Sequence, residues 1–494
     1  MQEKILAPHA ASLSQSMRDL GYSLETAIAD LIDNSITAGA DNIRIFLDID
    51  EAKGPCLAII DNGSGMTEEE LLEAMRPGSR DPRAKRDPDD LGRFGLGLKT
   101  ASFSQCKSLT VISRKNDKPF AARWDLDLIE SRNDWVVTVL SLEEIQDLPY
   151  LDELPNQGTY VLWQKLDRLL ESNLHERSKN NAYDKLDVVE KHLALVFHRY
   201  MAGDYKKRKV SIQVNEHLIE AFDPFCLSNK ATQLLQEEIV RIDNHEIRIQ
   251  PYILPHHSKL SKKEYDFYRS RSDFVSNQGA YIYRNGRLMA WGDWFRLVPK
   301  SEATKLARVR IDFSNALDEL WTIDIKKSRA HPPHQVREKL RQIINRITEQ
   351  SKRVHIGRGN RLFEERDQPL WIRRYTDKNR SSIRYAINRD HPLLSIVHNR
   401  LDFETATALE NILSVIESSM PLEAIYADYS SSPQSFEEKE ELTHDELKEK
   451  LEHFYKLLSF SDSIDKESFA RMILGLKPFS ENRELTQRII EELA

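Results

Sequence analysis

Gly92-Arg93-Phe94-Gly95-Leu96-Gly97-Leu98-Lys99-Thr100 places three glycines at the start of what reads as a helix over 96–104. Backbone N–H groups at a helix start attract phosphate, and glycine lets an anion approach the main chain. Such a cluster also arises by chance, so its neighbours decide its meaning. Upstream stands Asp61-Asn62-Gly63-Ser64-Gly65-Met66, and before it Asp30-Leu31-Ile32-Asp33-Asn34-Ser35. A carboxylate and an amide on a helix, an Asp-x-Gly-x-Gly turn and a second glycine cluster, in that order, describe an ATP pocket. A dinucleotide-binding loop would need a strand directly before the glycines and an acid further on. Here a proline-rich segment precedes them. No Gly-x-x-x-x-Gly-Lys-Ser/Thr loop is present, which excludes a Walker-type site.

Asp30 and Asn34 are four apart on a predicted helix over 23–37, so they project from one face. Phosphate hydrolysis needs a group that orients and deprotonates water, and an oxygen ligand for magnesium. Asp30 and Asn34 supply those two groups. Asp33 points about 100° away from Asn34 by helix geometry and is expected to anchor backbone. Asp61 ends a predicted strand over 55–61. A carboxylate there accepts the exocyclic amino proton of adenine, which guanine does not offer at that edge. Gly63 and Gly65 let the chain approach the base, with Met66 completing the motif. Gly92, Gly95 and Gly97 form the phosphate loop, followed by Leu98. Lys99 or Thr100 adds a charge or a hydroxyl contact. Read without their company, Asp30 and Asn34 would be ordinary polar positions beside buried Leu31 and Ile32, and Asp61 a plain turn.

The chain has 494 residues, 40% of them hydrophobic and 30% charged. That length calls for more than one core. No run of apolar residues is long enough to span a membrane, and the N-terminus has no basic region followed by an apolar stretch. Cys56, Cys106 and Cys226 are odd in number and far apart, which argues against structural zinc and a disulfide frame. The expected compartment is the reducing cytoplasm. A net charge of −8 excludes a uniformly basic coat but not a local basic groove.

Outward from the pocket, Leu13, Met17 and Leu20 share a helical face that Gly21 interrupts. Ser23 and Thr67 read as N-caps. Asn42 to Ile49 alternates at period two and reads as a strand. Residues 76–88 hold three prolines and five basic residues, which reads as a lid rather than a regular element. Leu109 to Ser113, Ala121 to Trp124, Trp135 to Leu140 and Thr159 to Gln164 complete a first sheet, closed by a helix over 183–201. The run Lys206-Lys207-Arg208-Lys209 then opens a second strand-rich unit. Its expected strands are Ser211 to Val214, Ile247 to Ile253, Ala280 to Tyr283 and Arg308 to Phe313, with Asn285-Gly286 as a turn signal. A charged helix from His334 to about Arg353 ends it. Residues 352–384 carry ten Lys/Arg against four acids. Residues 385–494 read as mostly helical, with the acidic run Glu437 to Glu441.

These motifs resemble those of the GHKL ATPases, a family that includes gyrase B, the heat-shock chaperone ATPases, histidine kinases and MutL. The resemblance covers roughly residues 10–165. It implies an α+β chain: a Bergerat α/β sandwich over 1–203, a β-α transducer domain over 204–353 and a helical C-terminal region over 354–494. It implies ATP and Mg2+ as cofactors. Asp30 falls on the water-activating acid, Asn34 on the magnesium ligand, and Asp61, Gly63 and Gly65 on the adenine turn. Gln157-Gly158-Thr159 looks like the last motif, with Thr159 helping to hold the adenine-binding aspartate. The usual base is glutamate. Asp30 is one methylene shorter, which bears on hydrolysis rate more than on ATP binding. In gyrase B, MutL, MORC proteins and the chaperones, a transducer sends a basic residue to the γ-phosphate. Here Trp321 to Arg329 alternates into Lys326 and Lys327, with Lys327 preferred. Among the families, prokaryotic MORC-like ATPases look most similar overall.

The resemblance implies an ATP-driven homodimer that closes as a clamp on DNA. The basic residues of 352–384 and Lys206 to Lys209 suit phosphate contacts that do not read sequence, the alternative being a solvated linker and a surface turn. A chaperone-like or signalling scaffold is the alternative, since the acidic helical C-terminal region suits a protein partner. A histidine kinase is disfavoured, because no sensor or phosphoacceptor helix precedes the pocket.

Overall fold

The computed structural model describes residues 3, 8–49, 54–79, 87–92, 95, 97–169, 175–256, 259–271, 276–301, 304–323, 330–347, 369–375, 383–425, 443–459, 466–476, 479–480 and 482–492. The chain divides into two compact units, Met1–Lys352 and Arg353–Ala494.

Among the described residues, the first unit holds two large sheets and a two-stranded pairing of Thr322–Ile323 with Ala330–His331. The first contains β1 (Asn42–Asp48), β2 (Cys56–Asp61), β3 (Ser108–Lys115), β4 (Lys118–Asp125), β5 (Thr138–Val139), β6 (Gly158–Gln164), β7 (Ser211–Val214) and β8 (His217–Leu218), in the order β5-β4-β3-β6-β2-β1-β7-β8. All neighbours are antiparallel except β1 and β7. β2 is buried along its whole length because both faces are covered. Successive side chains alternate between faces. Cys56, Ala58 and Ile60 enter one core with Phe46, Ile112, Tyr160 and Leu162. Leu57, Ile59 and Asp61 therefore face the other way. On that side lie the helices α1 (Ala10–Arg18), α2 (Leu24–Thr37) and α4 (Gly97–Gln105), with α3 (Glu68–Met75) against β4. Thr67 caps α3 through a reciprocal pair with Glu70, as expected of an N-cap. Ser23 occupies the N-cap position of α2, but its hydroxyl meets Thr26 Oγ1 at 3.0 Å instead of a backbone N–H.

Further along lie α5 (Leu126–Arg132), α6 (Leu142–Gln146), α7 (His175–Val196) and α8 (His198–Ala202). The closing helix expected over 183–201 is thus longer and interrupted at Phe197. The strand expected from Trp135 to Leu140 shrinks to Thr138–Val139. On α1 the buried side chains are Ala10, Ser14, Met17 and Arg18, while Leu13 and Leu20 are exposed. Arg18 draws that face inward by pairing with Asp167 at 2.7 Å.

The second sheet contains β9 (Gln233–Leu234), β10 (Glu238–Ile242), β11 (His245–Ile253), β12 (Gly279–Arg284), β13 (Arg287–Asp293) and β14 (Ala307–Phe313), in the order β10-β11-β14-β12-β13 with β9 on β11. Phe225, Tyr252, Tyr281, Tyr283 and Leu288 form its aromatic core. β12 and β13 are joined by Asn285-Gly286, with φ of 48° and 79°, so the turn signal holds as a two-residue hairpin. One strand changes sheet. Ser211–Val214, expected in the second sheet, pairs in parallel with β1 of the first. The basic run before it is a turn, with Lys206 and Lys207 at φ of 52° and 55°. That turn brings the Ser211 N–H to Asp41 O at 2.7 Å. The first sheet therefore extends past residue 204.

The second unit is mostly helical, with helices at Pro392–His398, Phe403–Ser418, His444–Ser459, Lys466–Ile473 and Arg483–Glu492. Leu447, Leu451, Phe469, Ile473, Phe479, Ile489 and Ile490 fill its core. Within the basic stretch a hairpin pairs Trp371–Tyr375 with Ile383–Ile387, which the charge count did not foretell. Among the described residues, no helix is long and apolar enough to cross a membrane.

Candidate nucleotide site

α2 is the platform on which the motifs meet. It buries Ala27, Ile28, Leu31 and Ile32, which fixes the direction of the polar residues between them. Asp30 is 3% exposed, whereas Asn34, one turn on, is exposed. The Tyr22 hydroxyl donates to Asp30 Oδ2 at 3.0 Å. Asp33 is fully buried, and its Oδ1 accepts from Arg287 Nε at 3.0 Å. The backbone anchor expected of Asp33 missed this partner, which stands at the start of β13.

The turn that follows Asp61 is tied to α2 and to β6. Ser35 Oγ donates to Asp61 Oδ2 at 2.7 Å, and the N–H groups of Gly63 and Thr159 donate to Oδ1 at 2.9 and 3.2 Å. Burial pushes the Asp61 carboxyl above the ordinary carboxylate range, while these three hydrogen bonds pull it down. Two glycines are sterically required. A Cβ on Gly65, at φ 63°, would lie 2.2 Å from Arg114 O, and one on Gly158, at φ 154°, would lie 2.0 Å from Asp61 O. The Met66 N–H donates to Ser113 Oγ at 2.7 Å, which also lies 3.4 Å from Thr159 Oγ1.

The glycine cluster reaches the same helix. A Cβ on Gly97 would stand 3.6 Å from Asp30 Oδ2, so the start of α4 abuts the acid. The Leu91 N–H donates to Thr37 Oγ1 at 3.2 Å, and the Ser64 N–H to Ala38 O at 2.8 Å. Asp61, the end of the segment expected as a lid and the glycine cluster thus all meet α2: Asp61 through Ser35, Leu91 through Thr37, and Gly97 beside Asp30. Gly95, Gly97 and Leu98 are half-buried, while Lys99 and Thr100 are buried. The Lys99 ammonium donates to Ala74 O at 2.9 Å and Gly95 O at 3.3 Å, so it also braces the loop from behind.

The sequence profile of the family described as histidine kinase-, DNA gyrase B- and HSP90-like ATPases matches residues 22–160. Those residues are an ATPase domain of this family. The match encloses Asp30, Asn34, the Asp61 turn, the glycine cluster and Thr159. The chain is 23% identical over 266 residues to the DNA mismatch repair protein MutL of Shewanella frigidimarina, across 53% of this chain and 38% of that protein. It is 35% identical over 92 residues to the ATPase morc-1 of Caenorhabditis elegans, across 18% of this chain and 10% of that protein. The chain thus spans well under half the length of these relatives. A solved structure of the N-terminal domain of a DNA repair protein is similar at TM-score 0.43 and 17% identity, covering 70% of this chain and 99% of that chain.

The second sheet grips the ATPase domain at the end of its lid segment. Arg284 is 1% exposed, pairs with Asp318 at 2.6 Å, and donates to the carbonyls of Leu91 at 2.9 Å and Gly92 at 3.3 Å. Asn285 Nδ2 donates to Pro88 O at 2.8 Å, and Asn315 Nδ2 to Asp87 O at 2.7 Å. Lys206 pairs with Asp89, and Arg208 donates to Ala40 O at 3.0 Å, so half of the basic run expected on DNA is engaged inside the first unit. Lys326 and Lys327 lie outside the described residues. Sequence reasoning missed Tyr22, Ser35, Arg284 and Arg287. Ser35 stood in the quoted Asp30 to Ser35 motif without a role, and Arg284 and Arg287 flank the Asn285-Gly286 signal.

Proposed function

We propose that the chain is an ATP-hydrolysing molecular switch that uses ATP to pair two N-terminal units and close a clamp, acting on DNA. The convergence of Asp61, the glycine loop and Asp30 on the single helix α2 carries this reading. In it, Asp61 accepts from the adenine amino group, beside Gly63, Gly65, Met66 and Thr159. Gly92, Gly95, Gly97 and Leu98 offer the phosphates a close approach, with Lys99 and Thr100 behind them. Asp30 orients and deprotonates the attacking water. Mg2+ fits Asn34, because a hard cation takes oxygen ligands and in such sites uses few protein groups beside the phosphates and water. Among the described residues no cluster of three or more His, Cys, Asp or Glu competes for it. Mg2+ neutralises charge on the phosphates when bound. Lys326 and Lys327 are proposed to sense the terminal phosphate through a charge-assisted contact.

The names of the relatives support DNA as the partner, since MutL is a mismatch-repair protein. The acidic run Glu437 to Glu441 favours, as a second reading, a scaffold that holds a protein client through the C-terminal region. Size-exclusion chromatography with light scattering, with and without a non-hydrolysable ATP analogue and duplex DNA, tests both. The first reading expects doubling of mass with nucleotide and salt-sensitive DNA binding that charge reversal in 352–384 removes. A mass unchanged by nucleotide would count against the clamp. Protein recovered with a client but never with DNA would favour the scaffold.

A further inference from the structure

We propose that Arg287 is a positioning residue through which the second sheet sets the geometry of Asp30, so that hydrolysis depends on where the β12–β13 hairpin sits. The proposal rests on the reading of Asp30 as the water-activating acid. One guanidinium meets two carboxylates of α2: its Nε donates to Asp33 Oδ1 at 3.0 Å, and its Nη2 stands 4.0 Å from Asp30 Oδ1. All three side chains are buried, at 4% exposure for Arg287, 0% for Asp33 and 2% for Asp30. The Asp33 contact is a hydrogen-bonded ion pair, while the Asp30 contact is too long for a hydrogen bond and acts through charge.

Arg287 is itself held by its own strand. Its Nη1 donates to Leu288 O at 3.0 Å and reaches Met289 Sδ at 3.5 Å. It cannot follow α2 without the hairpin. The same hairpin carries Arg284 and Asn285, which hold the carbonyls of Pro88 to Gly92. A single two-residue turn thus brackets the lid end on one side and the acid-bearing helix on the other. A displacement of the second sheet moves both together. Tyr22 fixes the other carboxylate oxygen of Asp30 from its own segment, so Arg287 is the contact that answers to the second sheet.

The test compares kcat and KM for ATP, and calorimetric affinity for a non-hydrolysable analogue, in wild type and two variants. Arg287→Met with Asp33→Asn removes both charges of the buried pair, so neither is stranded. Arg287→Lys keeps the charge but loses the fork. The double variant is expected to hydrolyse about 10²-fold more slowly, the scale of a ~1 Å misplacement, with analogue affinity within about threefold of wild type. Arg287→Lys is expected between the two. A folded double variant with wild-type kcat, or one whose affinity falls as much as its rate, overturns the proposal. If the double variant does not fold, unchanged kcat in Arg287→Lys overturns it, and reduced kcat at retained affinity supports it. Wild-type protein that binds no analogue ends the ATP reading itself, which is a separate result.

Discussion

Asp30 and Asp61 do different work, and their surroundings say how each will fail. Asp30 has one oxygen on Tyr22 and the other facing a guanidinium at 4.0 Å. Asp30→Asn keeps its shape and removes its basicity. The expected outcome is a kcat lower by about 10²- to 10⁴-fold, the usual worth of a general base. Analogue affinity by calorimetry should hardly change, and undiminished phosphate release would remove Asp30 from that role. Asp61 is a structural acceptor as well as the proposed adenine contact, with Ser35, Gly63 and Thr159 all donating to it. Asp61→Asn places an amide N–H against one of those donors. Hydrogen bonds to a charged acceptor are worth about 1.5–3 kcal/mol, so ATP affinity should fall roughly 10- to 100-fold. Calorimetry showing the wild-type affinity would place the adenine contact elsewhere.

Among the elements, β1 and α2 were legible because each obeys a local period, and β2 because it is a short apolar run ending at Asp61. The alternation in β2 puts Asp61 on the helix side, and the four-residue step in α2 puts Asp30 and Asn34 on one face. The contacts between elements were not legible. Arg287 and Asp33 are 254 positions apart, and no local pattern marks one as the partner of the other. The partners of the basic run at 206–209 were not legible for a related reason: charge density cannot tell a solvated patch from a turn whose Lys206 pairs with Asp89. The lid end is the element most exposed to these contacts. Asn285→Ala removes the donor to Pro88 O and leaves Arg284 in place. Losing that bond should raise amide exchange at Leu91 and Gly92 by an amount corresponding to about 1–3 kcal/mol of local opening. Unchanged exchange by mass spectrometry would mean that Arg284 and Asn315 suffice to hold the segment. Gly158→Ala tests the β6–β2 crossing. Its methyl would meet Asp61 O at 2.0 Å, so loss of about 2 kcal/mol or more of stability is expected, read as a lower denaturation midpoint.

At the scale of the first unit, the two large sheets meet over α7 and α8, and two histidines, the buried His198 and the half-buried His192, lie in that seam. The His192 ring stands 5.9 Å from Trp291, and His198 Nε2 lies 2.7 Å from the Tyr283 hydroxyl. Burial, helped by the Arg287 charge at His192 and the Arg199 charge at His198, pushes each imidazole down to about 3. In the unfolded chain each titrates near 6.5. Between those two values the unfolded state binds more protons than the folded one, so stability falls as pH drops through that window. It is flat with respect to these groups above it. Each histidine contributes a slope of about 1.4 kcal/mol per pH unit. Asp61 and Asp223, whose carboxyls burial raises, act in the opposite sense at the acidic end. The decisive quantity is therefore the difference between wild type and His192→Phe. This variant keeps a ring against Trp291 and removes one proton site. Its unfolding free energy, read from denaturant titration, should fall less than that of wild type on going from pH 7 to pH 5, by roughly 1–2 kcal/mol on the same linkage. Parallel curves for the two proteins would show that His192 is not held neutral in the seam. Because Arg287 faces both His192 and Asp33, acid that charges this seam acts on the same guanidinium that steadies α2. With the folded-state imidazole held near 3, that charging accompanies unfolding across this window, so loss of turnover through this seam should coincide with loss of fold, and phosphate release measured beside far-ultraviolet circular dichroism will show whether it does.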